Sequence, residues 1–160
     1  MITDTPLHDL IKHASQATDK LYGESGKILP MYHIVMHDGS HSIVSSPHHD
    51  KDAATTMMRA YFEITPTRRY VFVAEAWTAE YPQEPTQPII MPSQHPDRIE
   101  IIMFLGEDRD IGMLSASRRI IRPPNGKPHL GPLEFNDITG ATMEGRMIGL
   151  LPRDHKEMHS

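Results

Sequence analysis

The sequence contains no cysteine among its 160 residues. Disulfide bonds, thiolate zinc sites and cysteine nucleophiles are therefore all excluded. A chain of this length with 38% hydrophobic residues can still bury a core without cross-links or structural metals. The missing cysteines also fit a cytoplasmic protein, and we expect that location.

Long hydrophobic runs and an excess of basic charge are absent as well. No apolar run approaches the roughly 18 residues of a membrane-spanning helix, so we expect no membrane association. Residues 1–5 show no basic region followed by an apolar one, so we expect no signal peptide. The formal net charge of −5 disfavours a nucleic-acid partner, because binding phosphates requires a basic surface.

Motifs of the common enzyme classes are also missing. The sequence has no glycine-rich dinucleotide fingerprint, no phosphate-binding loop ending in Gly-Lys-Ser/Thr and no Gly-x-Ser-x-Gly elbow. We therefore expect no cofactor, and the sequence favours a protein without enzymatic activity.

Proline is abundant and unevenly distributed. The chain has 14 prolines, and five of them lie within residues 82–96. Such a segment is excluded from a sheet interior because proline has no amide hydrogen to donate. We interpret residues 82–97 as an arm, a lid or a passive crossover within a single domain over residues 1–151, followed by a frayed polar tail at 152–160.

Hydrophobic periodicity predicts the secondary structure around a central strand at residues 70–77. The other predicted elements are a helix at 6–22, a strand at 31–37, a strand at 41–46, a helix at 47–64 and a long hairpin at 98–122. Short connections between them favour antiparallel pairing. The predicted fold class is α+β, with a mainly antiparallel sheet of about five strands in the order helix-strand-strand-helix-strand-strand-strand and both helices on one face.

The turn residues predict the strand registers. Asp38-Gly39 indicates a two-residue turn, which would place Ile34 opposite Ile43. The later hairpin has two competing registers. One places the apolar residues at 99, 101, 103 and 105 beside Arg118, Ala116 and Leu114, which gives one apolar face and one mixed face. The other places Glu100 opposite Arg118. The cleaner apolar face favours the first.

Several histidines near the first hairpin suggest a metal site, with His37, His41 and His48 as candidate ligands. A strand rises about 3.3 Å per residue, so His33 and His37 are about 13 Å apart. Zinc ligands each lie only about 2 Å from the ion. Because the two-residue turn also points His41 away from His37, we interpret these histidines as surface residues and expect no native metal.

A group of charged residues interrupts the predicted central strands. Glu75, Glu100 and Arg118 would meet on one face if the strands are neighbours, with Trp77 beside them. Structural ion pairing is the simpler interpretation, since buried charges need partners. The alternative is a ligand pocket with an aromatic wall and a charged floor, in which paired carboxylates could perform acid–base chemistry.

The sequence therefore favours a small non-enzymatic binding or scaffolding domain that forms a homodimer. Self-association is expected because helices on one face would leave Val71, Val73 and Trp77 uncovered on the other. A small-molecule-binding protein or small enzyme that uses Glu75, Trp77, Glu100 and Arg118 is one alternative. A histidine-based metal-dependent hydrolase is the other. The sequence does not identify a protein or small-molecule partner.

Overall fold

The computed structural model describes residues 6–45, 51–78, 98–136 and 151 of the chain. In chain order the elements are α1 (Pro6–Ser25), β1 (Met31–Met36), β2 (His41–Ser45), α2 (Lys51–Ile64), β3 (Thr67–Thr78), β4 (Ile99–Asp108), β5 (Gly112–Ile121), β6 (His129–Leu130) and β7 (Glu134–Asn136). The α+β class and the order of the first seven elements are confirmed. The predicted arm at 82–97 and tail at 152–160 lie outside the described residues.

β3 lies at the centre of the sheet, as the apolar run at 70–77 predicts. The described strands pair antiparallel in the order β2-β1-β3-β4-β5. β6 and β7 then pair with two different parts of β5, so the described sheet has seven strands rather than about five. β3 pairs with β4 from Arg69 to Thr78, which confirms that the later hairpin flanks the central strand.

The two helices cover opposite faces of the sheet, and the prediction of one shared face is wrong. Val71 and Val73 pack in one cluster with α1, whereas Phe72 packs in a second cluster with Phe62 of α2. β2 and β3 run parallel, because each is antiparallel to β1. Their connection must therefore cross β1 through α2 on one face, which leaves the other face to α1.

The covered faces remove the reason for which the sequence predicts self-association. Val71 and Val73 are 0% exposed, because α1 lies over them. Both clusters contain aromatic or branched residues of β3 and β4, as expected for strands that are buried on two faces. An uncovered apolar face is therefore not a feature of the described residues.

The first hairpin has a three-residue loop, and the predicted register is wrong by one residue. Val35 pairs with His41, and Ile34 pairs with Ser42 rather than Ile43. The amide of Gly39 donates to the carbonyl of Met36 at 2.9 Å, and Gly39 has a φ of 88°. A turn followed by a left-handed glycine is the usual three-residue hairpin loop. Gly39 therefore closes a longer loop than the Asp-Gly pair suggests.

The second hairpin matches neither predicted register, and its pairing lies two residues from the register that places Glu100 opposite Arg118. Ile102 pairs with Arg118, and Phe104 pairs with Ala116. The Oδ1 atom of Asp108 accepts hydrogen bonds from the amides of the next loop residues, and Gly112 has a φ of 94°. The loop therefore begins after Asp108, and Arg118 lies on the face of the sheet that α1 covers.

Candidate functional site

All four candidate site residues lie on the face of the sheet that α1 covers. Trp77 pairs with Glu100 across β3 and β4. Glu75 and Arg118 both pair with Ile102, which lies between them. Two strand spacings therefore separate the backbones of Glu75 and Arg118, which is about 9.5 Å.

The Arg118 guanidinium connects β5 to α1 and to the loop before β7. Its Nε atom donates to the carbonyl of Gly131 at 2.7 Å. Its Nη1 atom donates to the carbonyl of Ser15 at 3.2 Å and lies 2.8 Å from the carboxylate of Asp19. Arg118 is only 9% exposed. These contacts give it a role in holding α1 on the sheet.

Glu100 instead pairs with Arg122, one residue beyond the end of β5. The Nε atom of Arg122 donates to Oε2 of Glu100 at 2.5 Å. This hydrogen bond and the charge of Glu100 raise the pKa of Arg122 above its ordinary value. Glu75 lies on the neighbouring strand and accepts a hydrogen bond at 2.8 Å from the backbone amide of Ile28.

Tyr22 of α1 brings a buried hydroxyl to these charges. Its oxygen has no hydrogen-bond partner among the described residues. Burial raises the pKa of Tyr22, Arg122 lowers it, and the carboxylates of Glu75 and Glu100 raise it further. Both carboxylates and the guanidinium of Arg122 therefore act electrostatically on the Tyr22 hydroxyl.

Trp77 forms the outer part of the same region. It follows Glu75 by two residues, so both side chains lie on the same face of β3. The guanidinium carbon of Arg98 lies 4.8 Å from the centre of the Trp77 ring, a cation–π arrangement. The ring is 37% exposed. We refer to Tyr22, Glu75, Trp77, Glu100 and Arg122 as the acidic–aromatic cluster.

The sequence predicts three of these five residues and misses Tyr22 and Arg122. The helical repeat contains a signal for Tyr22, because Ala14, Thr18 and Tyr22 follow at intervals of four residues and all are buried. The position of Arg122 depends on the β4–β5 register, which the sequence predicts incorrectly.

The acidic–aromatic cluster has the chemistry of a cation-binding site. The three charged groups that influence the pKa of Tyr22 are two carboxylates and the Arg122 guanidinium, with a formal charge of −1 (−1 − 1 + 1), whereas the Arg98 guanidinium contacts the Trp77 ring. A phenol can donate one hydrogen bond and accept others. A ligand that carries N–H donors and one positive charge would meet both the excess charge and the hydroxyl.

A second charged group lies at the other end of β3 and is structural. Nε of Arg69 donates to the buried carboxylate of Asp108 at 2.7 Å. Burial alone would raise the pKa of Asp108, but hydrogen bonds from the Asp110 amide and Arg69 hold it below its ordinary value.

On the opposite face, Glu107 accepts hydrogen bonds from Tyr70 at 3.0 Å and from the Leu151 amide at 2.9 Å.

The histidine candidates do not form a metal centre among the residues that the structure describes. His37 lies in the loop of the first hairpin, His41 begins β2, and His48 lies outside the described residues. No group of three or more His, Asp or Glu in the described ranges could hold a metal ion. The corrected register does, however, place His41 on the same face as His33.

Comparison with known proteins does not identify a family. No protein-family model, curated protein or solved structure matches this chain. Neither α1 nor α2 combines the length and apolar character that crossing a bilayer requires.

Proposed function

We propose that this chain is a non-enzymatic binding domain whose acidic–aromatic cluster binds a small organic cation. The observation that carries the proposal is the buried Tyr22 hydroxyl, which has no hydrogen-bond partner in the described residues and is influenced electrostatically by two carboxylates. A buried polar group without a hydrogen bond costs about 1–3 kcal/mol. A ligand that supplies the missing hydrogen bond would recover that free energy.

Charge favours an ammonium, amidinium or guanidinium group as the ligand's polar part. Such a group has several N–H donors and would bring the formal charge of the cluster from −1 to 0. One oxygen of Glu75 accepts the Ile28 amide, and one oxygen of Glu100 accepts Arg122. A carboxylate has two oxygens with about four lone-pair sites, so both residues keep acceptor capacity for a ligand.

Trp77 favours a ligand with a flat or apolar part. Arg98 already lies over its ring, which supports the idea that this ring interacts with planar cations. Trp77 pairs with Glu100 and lies two residues from Glu75 on the same face of β3, so an aromatic amidine could stack on Trp77 while its nitrogens contact Glu75. This combination is typical of sites that recognise organic cations.

Trp77 also provides the assay, because it is the only tryptophan in the chain. We expect benzamidine to change the Trp77 fluorescence saturably and its neutral analogue benzamide to have no such effect. Glu75→Gln and Tyr22→Phe should each weaken benzamidine binding about tenfold, because each removes a hydrogen bond to a charged group. Glu63→Gln is the matched control, since Glu63 is exposed on α2, which covers the other face.

The proposal would be refuted if benzamide bound as well as benzamidine. It would equally be refuted if Glu75→Gln left the benzamidine titration unchanged relative to Glu63→Gln. A circular dichroism spectrum of each variant confirms that the fold is retained, so that lost binding can be assigned to the site.

Self-association stays a prediction, and the structure changes where we expect it. Both sheet faces carry a helix, so the candidate contact is the outer edge of β2, which pairs only with β1 in the described part of the sheet. Ile43 on this strand is 64% exposed. An unpaired strand edge can bind a second strand. Light scattering should give twice 18.2 kDa for a dimer, and a monomer mass would rule the dimer out.

A further inference from the structure

Three histidines from three different elements meet between α1 and the first hairpin. His33 pairs with Ile43, and His41 pairs with Val35, so His33 and His41 are diagonal neighbours on one face of β1 and β2. The ring of His13, on α1, meets the ring of His41 edge to face, with 6.4 Å between the ring centres. We call His13, His33 and His41 the histidine cluster.

His33 is the buried member of the histidine cluster. It is 5% exposed, and its Nε2 atom has no hydrogen-bond partner among the described residues. Burial lowers the pKa of His33, and the nearby rings of His13 and His41 lower it further. At neutral pH the buried ring is therefore uncharged, which is the form that can be tolerated there without a carboxylate partner.

The surroundings of His33 offer little compensation for a positive charge. On β3 its paired residue is Val71, and the diagonal neighbour Arg69 is a cation that already contacts Asp108. α1 and β2 present the imidazoles of His13 and His41. Asp9, one helical turn before His13, is exposed. A proton on His33 would thus sit among imidazoles and a guanidinium.

We propose that the histidine cluster is an acid-sensitive clamp that holds α1 on the first hairpin at neutral pH and releases it on acidification. Protonation of His33 requires access to water, and α1 is the element that covers its face of the sheet. The proton is bound when α1 moves away, and the charged ring then keeps α1 from returning. The clamp concerns the protein without ligand, so it does not depend on the proposed cation site.

The direction of the pH dependence follows from proton linkage. The pKa of His33 is lower in the folded protein than in the unfolded chain, where it is about 6.5. The packing of α1 on the first hairpin is fully stable above pH 6.5. It loses stability as the pH falls from 6.5 toward the pKa of His33 in the folded protein. Each pH unit in that window lowers the equilibrium constant for closure by up to about tenfold.

Urea denaturation of the ligand-free chain at pH 7.5, 6.5 and 5.5 tests the clamp. His33→Met removes the titrating ring and keeps the site filled. We expect the wild-type folding constant to fall up to about tenfold more than that of His33→Met between pH 6.5 and 5.5. His37→Gln, in the exposed hairpin loop, should follow the wild type. Equal pH slopes for the wild type and His33→Met would overturn the proposal.

Two measurements on the wild type keep the test decisive if His33→Met does not fold. An NMR titration of the imidazoles should show that His33 titrates below the ordinary histidine value of about 6.5, and an ordinary or raised value would overturn the clamp. Hydrogen exchange, corrected for its intrinsic pH dependence, should show α1 opening at pH 5.5 while β4 stays protected. Equal loss of protection in both elements would refute a local clamp.

Discussion

Replacement of Arg118 by methionine is the most direct test of how α1 is held on the sheet. The guanidinium donates to the carbonyls of Gly131 and Ser15 and also reaches Asp19. Methionine keeps most of the aliphatic volume and removes every one of these donors. The variant therefore isolates the polar contacts from the packing.

The magnitude can be worked out contact by contact. Hydrogen bonds to a charged group contribute about 1.5–3 kcal/mol each. The ion pair with Asp19 adds little, because that carboxylate side chain is 61% exposed and solvent screens it. The carbonyl of Ser15 keeps a hydrogen bond from Thr18 at 2.6 Å, so only Gly131 loses its described side-chain donor. Removing a buried charge also recovers desolvation free energy.

We therefore expect Arg118→Met to lower the free energy of unfolding by about 1–3 kcal/mol. With a urea m-value of about 2 kcal/mol/M, the denaturation midpoint should fall by about 0.5–1.5 M at an unchanged m-value. Arg119→Met is the matched control, since Arg119 is the next residue of β5 and is exposed on the other face. Its cost should stay within about 0.5 kcal/mol.

The reasoning would be refuted if Arg118→Met and Arg119→Met had the same urea midpoint. Such a result would mean that the hydrogen bonds of Arg118 only offset the cost of burying its charge. A higher midpoint for Arg118→Met would show that the desolvation cost is the larger of the two.

Two further predictions concern the sheet beneath α1. Gly106→Ala should destabilise the protein by about 1–3 kcal/mol, because a Cβ atom would lie 2.8 Å from Cδ1 of Leu7. In denaturation experiments this loss of stability should be smaller in a Leu7→Ala background. Equal losses in both backgrounds would contradict the steric explanation. Asp108→Asn should destabilise the protein most near neutral pH, because the pKa of Asp108 is lower in the folded protein than in the unfolded chain. The Asp108 carboxylate stabilises the fold above its unfolded pKa of about 3.9, and this stabilisation is lost as the pH falls through the folded pKa. Urea midpoints at pH 7, 4 and 3 measure this difference, and a constant gap between Asp108→Asn and wild type would contradict it.

The registers of the two hairpins show where sequence reasoning reached its limit. The apolar run at 70–77 and the turn residues are local features, and they correctly predict the first five strands and their order along the chain. Loop length depends instead on whether Gly39 and Gly112 close three-residue loops. In the first hairpin the Asp38-Gly39 pair predicts a two-residue turn, although the glycine closes a longer loop. A shift of one residue turns every side chain of a strand to the other face.

In the candidate site, too, the local features were predictable from the sequence and the contacts between distant residues were not. Glu75, Trp77 and Glu100 could be identified because charged and exposed aromatic residues interrupt apolar strands. Their partners could not, because Tyr22 lies on a helix whose face of the sheet was predicted incorrectly. The histidine cluster was missed for a related reason, since the predicted two-residue turn pointed His41 to the wrong face.

The sequence alone determined the two helices, the first five strands, their order along the chain and the central position of β3. These properties depend on periodicity, propensity and the length of each apolar run, all of which are local. The tertiary structure decided the faces of the helices, the registers and the partners of the charged side chains. Those choices depend on which arrangement lets α1 and α2 each bury an apolar stripe, and that comparison involves residues far apart in the chain.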